Sequence, residues 1–360
     1  MAAENRLVVV VIFGGASSEH EVSLASASTV IEALDEEKYD ILKLGIDKQG
    51  CSYLYSGDIS KIKSGEWVGD LDHCIKAFIT PDGIASNLIL VDEGKGICQE
   101  KRVDVVIPVL HGKNGEDGTI QGLLDLSTIP YVGCKTLTSA VCMDKVVTNI
   151  LLKEAGIDQA KFGWFYSYQY KKDPDECIRI AESVSEYPLF VKPANAGSSV
   201  GISKVHNREE LIQGIENAIK EDSKILIEES ITGHEIECAV LGNEDPIASV
   251  LGEIAYEKDE FYDYEHKYQN KAKLYIPARI NEEISNSVRE TAIKAYKFLG
   301  CRGLTRMDFF VDEEDNKIYL NEPNTFPGFT EISMYPKLFE ATGIKISDLL
   351  DKLIEFALQK

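Results

Sequence analysis

The sequence predicts an α/β protein that opens on a parallel sheet and turns α+β in its C-terminal two-thirds. Three observations carry this. Leu7 to Phe13 is a β-branched run ending in Gly14-Gly15, followed by residues at helical spacing and a second apolar run, a β-turn-α-β opening. Between residues 189 and 228 the order becomes strand, strand, helix, strand, which breaks the strict alternation of a doubly wound sheet. The length, 360 residues, exceeds what one hydrophobic core usually organises and asks for two or three domains, or one large α/β assembly.

The elements follow in order. Leu7–Phe13 reads as a strand buried on both faces, Val22 to Leu34 as a helix, and Asp40–Ile46 and Val103–Pro108 as further strands. Residues 47–101 are polar and Gly-rich with weak alternation and receive no assignment. A loop from His111 to Gly118 leads to a helix at Thr119–Leu126 and a short strand at Tyr131–Gly133, where the first domain is expected to end. Lys145–Ala155 reads as a helix, Leu189–Lys192 and Gly201–Val205 as strands, then a helix capped by Asn207 and running to about Lys220, and a strand at Ile225–Glu228. The last third has strands at Glu235–Leu241, Pro246–Ile254, Leu304–Val311 and Lys317–Asn321, with helices at Glu282–Leu299 and Ile346–Leu358. Between Ala255 and Leu274 lies a polar, Tyr-rich stretch of the length that serves as a lid or binding loop.

Composition excludes several classes. The charged share is 27% and the hydrophobic share 44%, and no apolar run reaches the roughly 18 residues that span a bilayer. A formal charge of -22 repels a phosphate backbone, so no nucleic-acid partner is expected. The apolar start lacks a small-residue cleavage site and reads as a strand, not a signal peptide. Eight dispersed cysteines without a C-x-x-C pair fit reduced thiols in a cytoplasmic protein.

Two segments carry the chemistry. In extended strands Arg306 and Asp308 share a face, as do Glu322 and Asn324, and two carboxylates with an amide oxygen are hard ligands of the kind magnesium takes beside substrate phosphates. The competing reading is a surface salt-bridge ladder. Lys192 to Gly201 joins two strands through small residues that let backbone N–H groups approach phosphate oxygens, with Lys192 as a point charge. Gly197-Ser-Ser-Val-Gly201 also satisfies the G-x-S-x-G pattern of a hydrolase elbow, but that elbow must lead into a helix and residues 202–205 alternate like a strand. There is no P-loop, and Gly14-Gly15 lacks the later glycines of a dinucleotide fingerprint. His111 stands at the end of a strand, where α/β sheets place ligands, and is expected to face substrate.

Seven motifs occur together and in this order: Gly14 to Leu24, His111 to Gly122, Met143-Asp-Lys145, Lys192 to Gly201, Phe261-Tyr-Asp-Tyr-Glu-His-Lys-Tyr268, Arg306-Met-Asp308 and Asn321 to Thr330. Over nearly its whole length the chain resembles the D-alanine–D-alanine ligases, ATP-grasp enzymes. The resemblance implies a three-domain ATP-grasp architecture with a Rossmann-like parallel-sheet domain at 1–133, a central subdomain at 134–231, and a C-terminal subdomain at 232–360 carrying the lid 255–274. It implies ATP held by Lys145, Lys192, Ser199, Glu228, Ile231, Glu235, Phe261 and Lys267, and two magnesium ions, replaceable by manganese, at Asp308, Glu322 and Asn324. Glu19, Ser198, Tyr268 and Arg306 become the catalytic set, and Glu19, Val22, His111, Arg306, Gly328, Ser333 and Met334 the contacts to D-alanine. Cytoplasmic cell-wall precursor synthesis, a homodimer and potassium activation come with the same resemblance.

For the second substrate, Lys267-Tyr268 resembles the dipeptide-forming enzymes, and Met334 stands where relatives that add D-serine carry a polar residue. Lys113-Asn114 and Lys273 to Ile280 are similar to those D-serine relatives, which makes D-serine the alternative second substrate. A nucleotide-binding protein without turnover is disfavoured because no member of the catalytic set is missing. Pro323 is unusual between two metal ligands.

Overall fold

A computed structural model of the chain describes residues 6–83, 87–92, 94, 96–197, 200–255, 273–312 and 315–359. The first sheet is built on β1 (Leu7–Gly14), whose apolar residues are buried on both sides because helices cover both faces, the helix at Thr119–Ser127 closing the side of Val10 and Ile12. β2 (Tyr39–Ile46) and β7 (Val105–Pro108) flank it in parallel, and α1 (His20–Ala33) makes the crossover. The unassigned stretch supplies β3 (Ser52–Tyr55), β4 (Cys74–Ile79), β5 (Asn87–Asp92) and β6 (Ile97–Arg102), all antiparallel, with the short α2 (Ile59–Ser64) between β3 and β4, giving the order β6-β5-β4-β3-β2-β1-β7. The Rossmann-like parallel character is therefore confined to three of seven strands. The expected strand at Tyr131–Gly133 is a single parallel bridge from Tyr131 to Val106, after α3 (Thr119–Ser127).

The second sheet has the order β10-β9-β11-β8, from β8 (Phe162–Tyr166), β9 (Leu189–Pro193), β10 (Ser203–Val205) and β11 (Lys224–Glu229). α4 (Thr136–Met143) and α5 (Lys145–Glu154) precede it. α6 (Ser167–Lys172), α7 (Pro174–Glu182) and α8 (Arg208–Glu221) lie within it, and the Asn207 side chain caps α8 by accepting from Glu210 N as its position suggested. β10 following the Gly197–Gly201 loop rules out the hydrolase elbow, which needs a helix there.

The third sheet, β14-β13-β12-β15-β16, is antiparallel: β12 (His234–Gly242), β13 (Ile247–Ala255), β14 (Lys273–Tyr275), β15 (Gly303–Asp312) and β16 (Lys317–Asn324). Ile236, Cys238, Met307, Phe309, Val311 and Leu320 bury one face against α9 (Glu282–Phe298), α4 and α5. α10 (Met334–Thr342) and α11 (Ile346–Leu358) pack in a single core with α1, Val9, Val11 and Phe13 of the first sheet. One core thus joins the two ends of the chain. No helix among the described residues is long and apolar enough to cross a membrane.

Candidate active site

The three sheets surround a cavity of about 1910 Å³. Every site residue expected from the sequence that falls within the described residues lines it, except those of the 198–199 and 256–272 stretches: Ser198, Ser199, Phe261, Lys267 and Tyr268 lie outside the described residues.

On the third sheet the period of two puts Glu235 and Glu237 of β12, Arg306 and Asp308 of β15, and Glu322 and Asn324 of β16 on the cavity face. Glu237, Asp308 and Glu322 stand opposite one another across three neighbouring strands. Arg306 closes a bidentate fork on Asp308, Nε to Oδ1 and Nη2 to Oδ2, both 2.7 Å, and Asn324 Nδ2 donates to Asp308 Oδ2 at 2.9 Å. Burial works against the buried guanidinium's charge, but Asp308 and Glu237 outweigh it and hold Arg306 protonated. This is a buried charge network facing a cavity, not the surface ladder that competed with it. Pro323 pairs with Met307 on β16, the edge strand, where a missing N–H breaks no ladder on the outer side.

On the second sheet Lys192 of β9 and Glu228 of β11 are diagonal neighbours on one face, and their charges meet at 2.6 Å. Asn149 of α5, one turn beyond Lys145, donates to the other oxygen of Glu228 at 2.9 Å. Burial alone would lower the Lys192 ammonium; the fields of Glu228, Glu322 and Glu235 raise it instead. Glu228, only 6% exposed, is thus committed to orienting Lys192. Lys145 opens α5, whose start is fixed by Asp144 accepting from Val146 N and Val147 N. Its Nζ donates to Ala196 O at 2.8 Å and stands 3.4 Å from Glu322.

From the first sheet comes Glu19, at the N-cap position of α1. Its carboxylate lies against the backbones of Gly112 and Gly197; a Cβ at Gly197 would stand 2.8 Å from Glu19 Oε2, and one at Gly112 would collide with the same atom. Gly112, with its φ of 66°, requires glycine, whereas a Cβ at Gly197 would displace the Glu19 carboxylate. Glu116 caps the same loop, accepting from Gly112 N at 2.8 Å and Phe326 N at 3.3 Å. Burial, and then the field of Glu19, push the Glu116 carboxyl up to about 8.

His111 lines the cavity, yet both ring nitrogens serve the protein. The Phe326 carbonyl can only accept, so Nδ1 carries the proton it donates at 3.2 Å, and Nε2 accepts from Ser26 Oγ at 3.1 Å, while Ser26 Oγ accepts from Phe329 N at 3.2 Å. Burial holds His111 below its ordinary value and hence neutral. Its visible work is to tie β7 and α1 to residues 326–329. Met334 is likewise buried, its side chain against Gly252 and in one core with Leu338.

Residues 8–134 match the family described as D-ala D-ala ligase N-terminus, and residues 151–355 the one described as D-ala D-ala ligase C-terminus. The chain belongs to the D-alanine–D-alanine ligase family. A D-alanine–D-alanine ligase of Caldicellulosiruptor bescii is 49% identical over 99% of this chain and 96% of its own length, and one of Acetivibrio thermocellus 48% identical over 98% and 96%. Among solved structures, the VanG D-Ala:D-Ser ligase from Enterococcus faecalis superposes with a TM-score of 0.89 at 41% identity, covering 98% of this chain and 100% of that one. The D-alanine-D-alanine ligase from Coxiella burnetii gives 0.82 at 34% identity, over 98% and 94%.

For this member of the D-alanine–D-alanine ligase family, the donor set fits magnesium. Glu235, Glu237, Asp308 and Glu322 crowd one face with Arg306 and Lys145 as the nearby cations, a surplus of hard oxygen donors completed by the Asn324 amide. Among the described residues no three Asp, Glu, His or Cys side chains are gathered as a cage, because Arg306 and Asn324 occupy Asp308. Four residues of the site escaped the sequence reading. Glu237 had a signal, the acid-apolar alternation from Glu235, and Asn149 had one too, four residues after Lys145 on a helix. Glu116, inside a quoted motif, and Glu253, buried against His234 and Arg279 on the cavity wall, had none.

Proposed function

We propose that this chain condenses two molecules of D-alanine into D-alanyl-D-alanine while cleaving ATP to ADP and phosphate, as a step of peptidoglycan precursor synthesis in the cytoplasm. One observation supports the reading: a single cavity is lined by Lys145 and Lys192, by Arg306 beside Asp308 and Glu322, and by Glu19, brought together from the starts of two helices and from the second and third sheets. Residues 1–133 supply the substrate side, and 134–231 with 232–360 the nucleotide clamp.

Lys145 and Lys192 hold the ATP phosphates, with Glu228 keeping Lys192 aimed and Glu235 accepting from the ribose. Glu19 binds the ammonium of the first D-alanine and places its carboxylate in line with the γ-phosphate. A carboxylate oxygen bonds to that phosphorus, the bond to the ADP oxygen breaks, and an acyl phosphate forms. The neutral amine of the second D-alanine then attacks the acyl carbon; Arg306 offers its fork to the oxyanion, the bond from the acyl carbon to the phosphate oxygen breaks, and the proton lost from the nitrogen ends on the leaving phosphate. Magnesium at Asp308, Glu322 and Asn324 supplies charge neutralisation on the phosphate oxygens when bound. The resemblance assigns Glu19, Ser198 and Tyr268 to closing the site against water, which an acyl phosphate requires; Ser198 and Tyr268 lie outside the described residues. Two metal ions, potassium activation and a homodimer complete this reading.

The likeness to the Enterococcus faecalis D-Ala:D-Ser ligase favours a second reading, D-alanyl-D-serine formation. Incubation with Mg-ATP and D-alanine, alone and with equimolar D-serine or D-lactate, followed by product masses, decides between them. Mainly D-alanyl-D-alanine is expected; mainly the D-serine product would replace the first reading with the second, and no dipeptide would overturn both.

A further inference from the structure

Arg306 and Asp308 hold each other in an arrangement that the proposed reaction must open. Both Asp308 oxygens accept from the Arg306 fork, and one also accepts from Asn324. These three donors engage most of the roughly four lone-pair sites a carboxylate offers, so a divalent cation that takes both oxygens of Asp308 must displace at least one of them. Arg306 is then released from its first anchor at the moment it is needed at the reacting centre.

Glu237 stands on the other side. It lies on β12 directly across from Asp308, is 6% exposed, and its Oε2 is 3.2 Å from Arg306 Nε. It is not one of the ligands proposed above, which are Asp308 on β15 and Glu322 and Asn324 on β16. A planar guanidinium shared by two carboxylates retains one when the other turns away. An arginine whose only anion had turned to the metal would be left as an uncompensated buried charge, which is costly.

We propose that Glu237 is a positioning residue for Arg306: it holds the guanidinium at the cavity when Asp308 turns to metal and, by drawing Arg306 off Asp308, sets how tightly the metal binds. This rests on the metal and oxyanion assignments of the proposed function. Without Glu237, Arg306 competes with the metal for Asp308 undiluted.

The test is a Mn2+ titration of the full-length protein, alone and saturated with ADP, read by the loss of the free-ion EPR signal, for wild type, Glu237→Gln, Glu237→Asp and Arg306→Ala with and without Glu237→Gln. Glu237→Gln is expected to weaken Mn2+ binding and to lower kcat, each roughly tenfold, the order of one lost buried ion-pair contact, with KM for ATP nearly unchanged. Glu237→Asp, one methylene shorter with its charge kept, should restore part of both and serves if the Gln variant does not fold. In the Arg306→Ala background Glu237→Gln should leave Mn2+ affinity where it was. Wild-type Mn2+ affinity in a folded Glu237→Gln protein, or an equal loss in the Arg306→Ala background, would overturn the inference. Dipeptide formed by the wild type together with unshifted Mn2+ binding sinks this inference alone; shifted binding with no dipeptide sinks the proposed function and leaves the Glu237–Arg306 linkage standing.

Discussion

The two faces of the third sheet are made by the same strands and obey opposite rules. On β12 and β15, Ile236, Cys238, Met307 and Phe309 alternate with Glu235, Glu237, Arg306 and Asp308. The first set is sealed in a core; the second holds charges that water would solvate better, paired with one another around a cavity. Packing explains the first set without reference to function. For the second it does not, because buried ion pairs are weak sources of stability. A face that keeps such groups is kept for what they bind.

Breaking each face should therefore cost different things. Phe309→Ala, on the core face and 1% exposed, should remove about 3–5 kcal/mol of stability, read by denaturant unfolding, with kcat near wild type at temperatures where the variant is folded. Arg306→Ala, three positions earlier on the same strand and on the other face, should lower kcat roughly 10²–10³-fold and leave ATP binding by calorimetry largely intact. If turnover survives Arg306→Ala, or Phe309→Ala abolishes it in a folded protein, the contrast fails.

Glu116 sharpens the comparison, since it faces the charged surface as a largely uncharged acid. Its carboxyl sits near 8 in the folded protein against an ordinary 4.5, so between these values the folded state keeps a proton that the unfolded chain releases. Stability from this group is fully present below about pH 4.5 and is lost as pH rises towards 8. Glu116→Gln should flatten that decline, seen as a smaller drop in Tm from pH 5 to pH 8 than in the wild type. Buried His111 runs the other way, losing stability as pH falls below its ordinary range, and the wild type-minus-variant difference isolates Glu116. The smallest effect belongs to Pro323→Ala: at the edge strand it should cost roughly 1 kcal/mol of packing and leave Mn2+ affinity and kcat unchanged. A shift in metal affinity there would mean that the proline shapes the ligand strand.

Legibility followed the strength of local patterns. β1, β2, β7, α8 and α11 could be read because their apolar residues keep one period against one partner. β3 to β6 escaped: Ile75 and Phe78 on β4 are exposed, so two half-wet faces blur the alternation. α10 escaped because its start at Met334 follows a Pro- and Gly-containing stretch with no strong cap; Ser333 makes no capping bond to it. In the site, spacing alone puts Arg306 with Asp308, and Glu322 with Asn324, each pair on one face of its own strand; that both pairs face one cavity came from the sheet register. The commitment of Glu228 to Lys192, and of both His111 nitrogens to Ser26 and Phe326, was not foreseeable.

The sequence by itself determined the periodic content: which strands are buried, which faces carry acids, where the small-residue loops fall, and the set of motifs that marks the family. These are properties of windows a few residues long, where the backbone geometry dictates which side chains share a face. Only the tertiary structure decided that Glu19 lies against Gly112 and Gly197, that Glu116 reaches Phe326, that Glu237 flanks Arg306, and that one core spans residues 9 and 354. Such meetings depend on how sheets dock over hundreds of residues of chain, and a hydrogen bond forms only within about 3 Å, a tolerance that no short window of sequence contains.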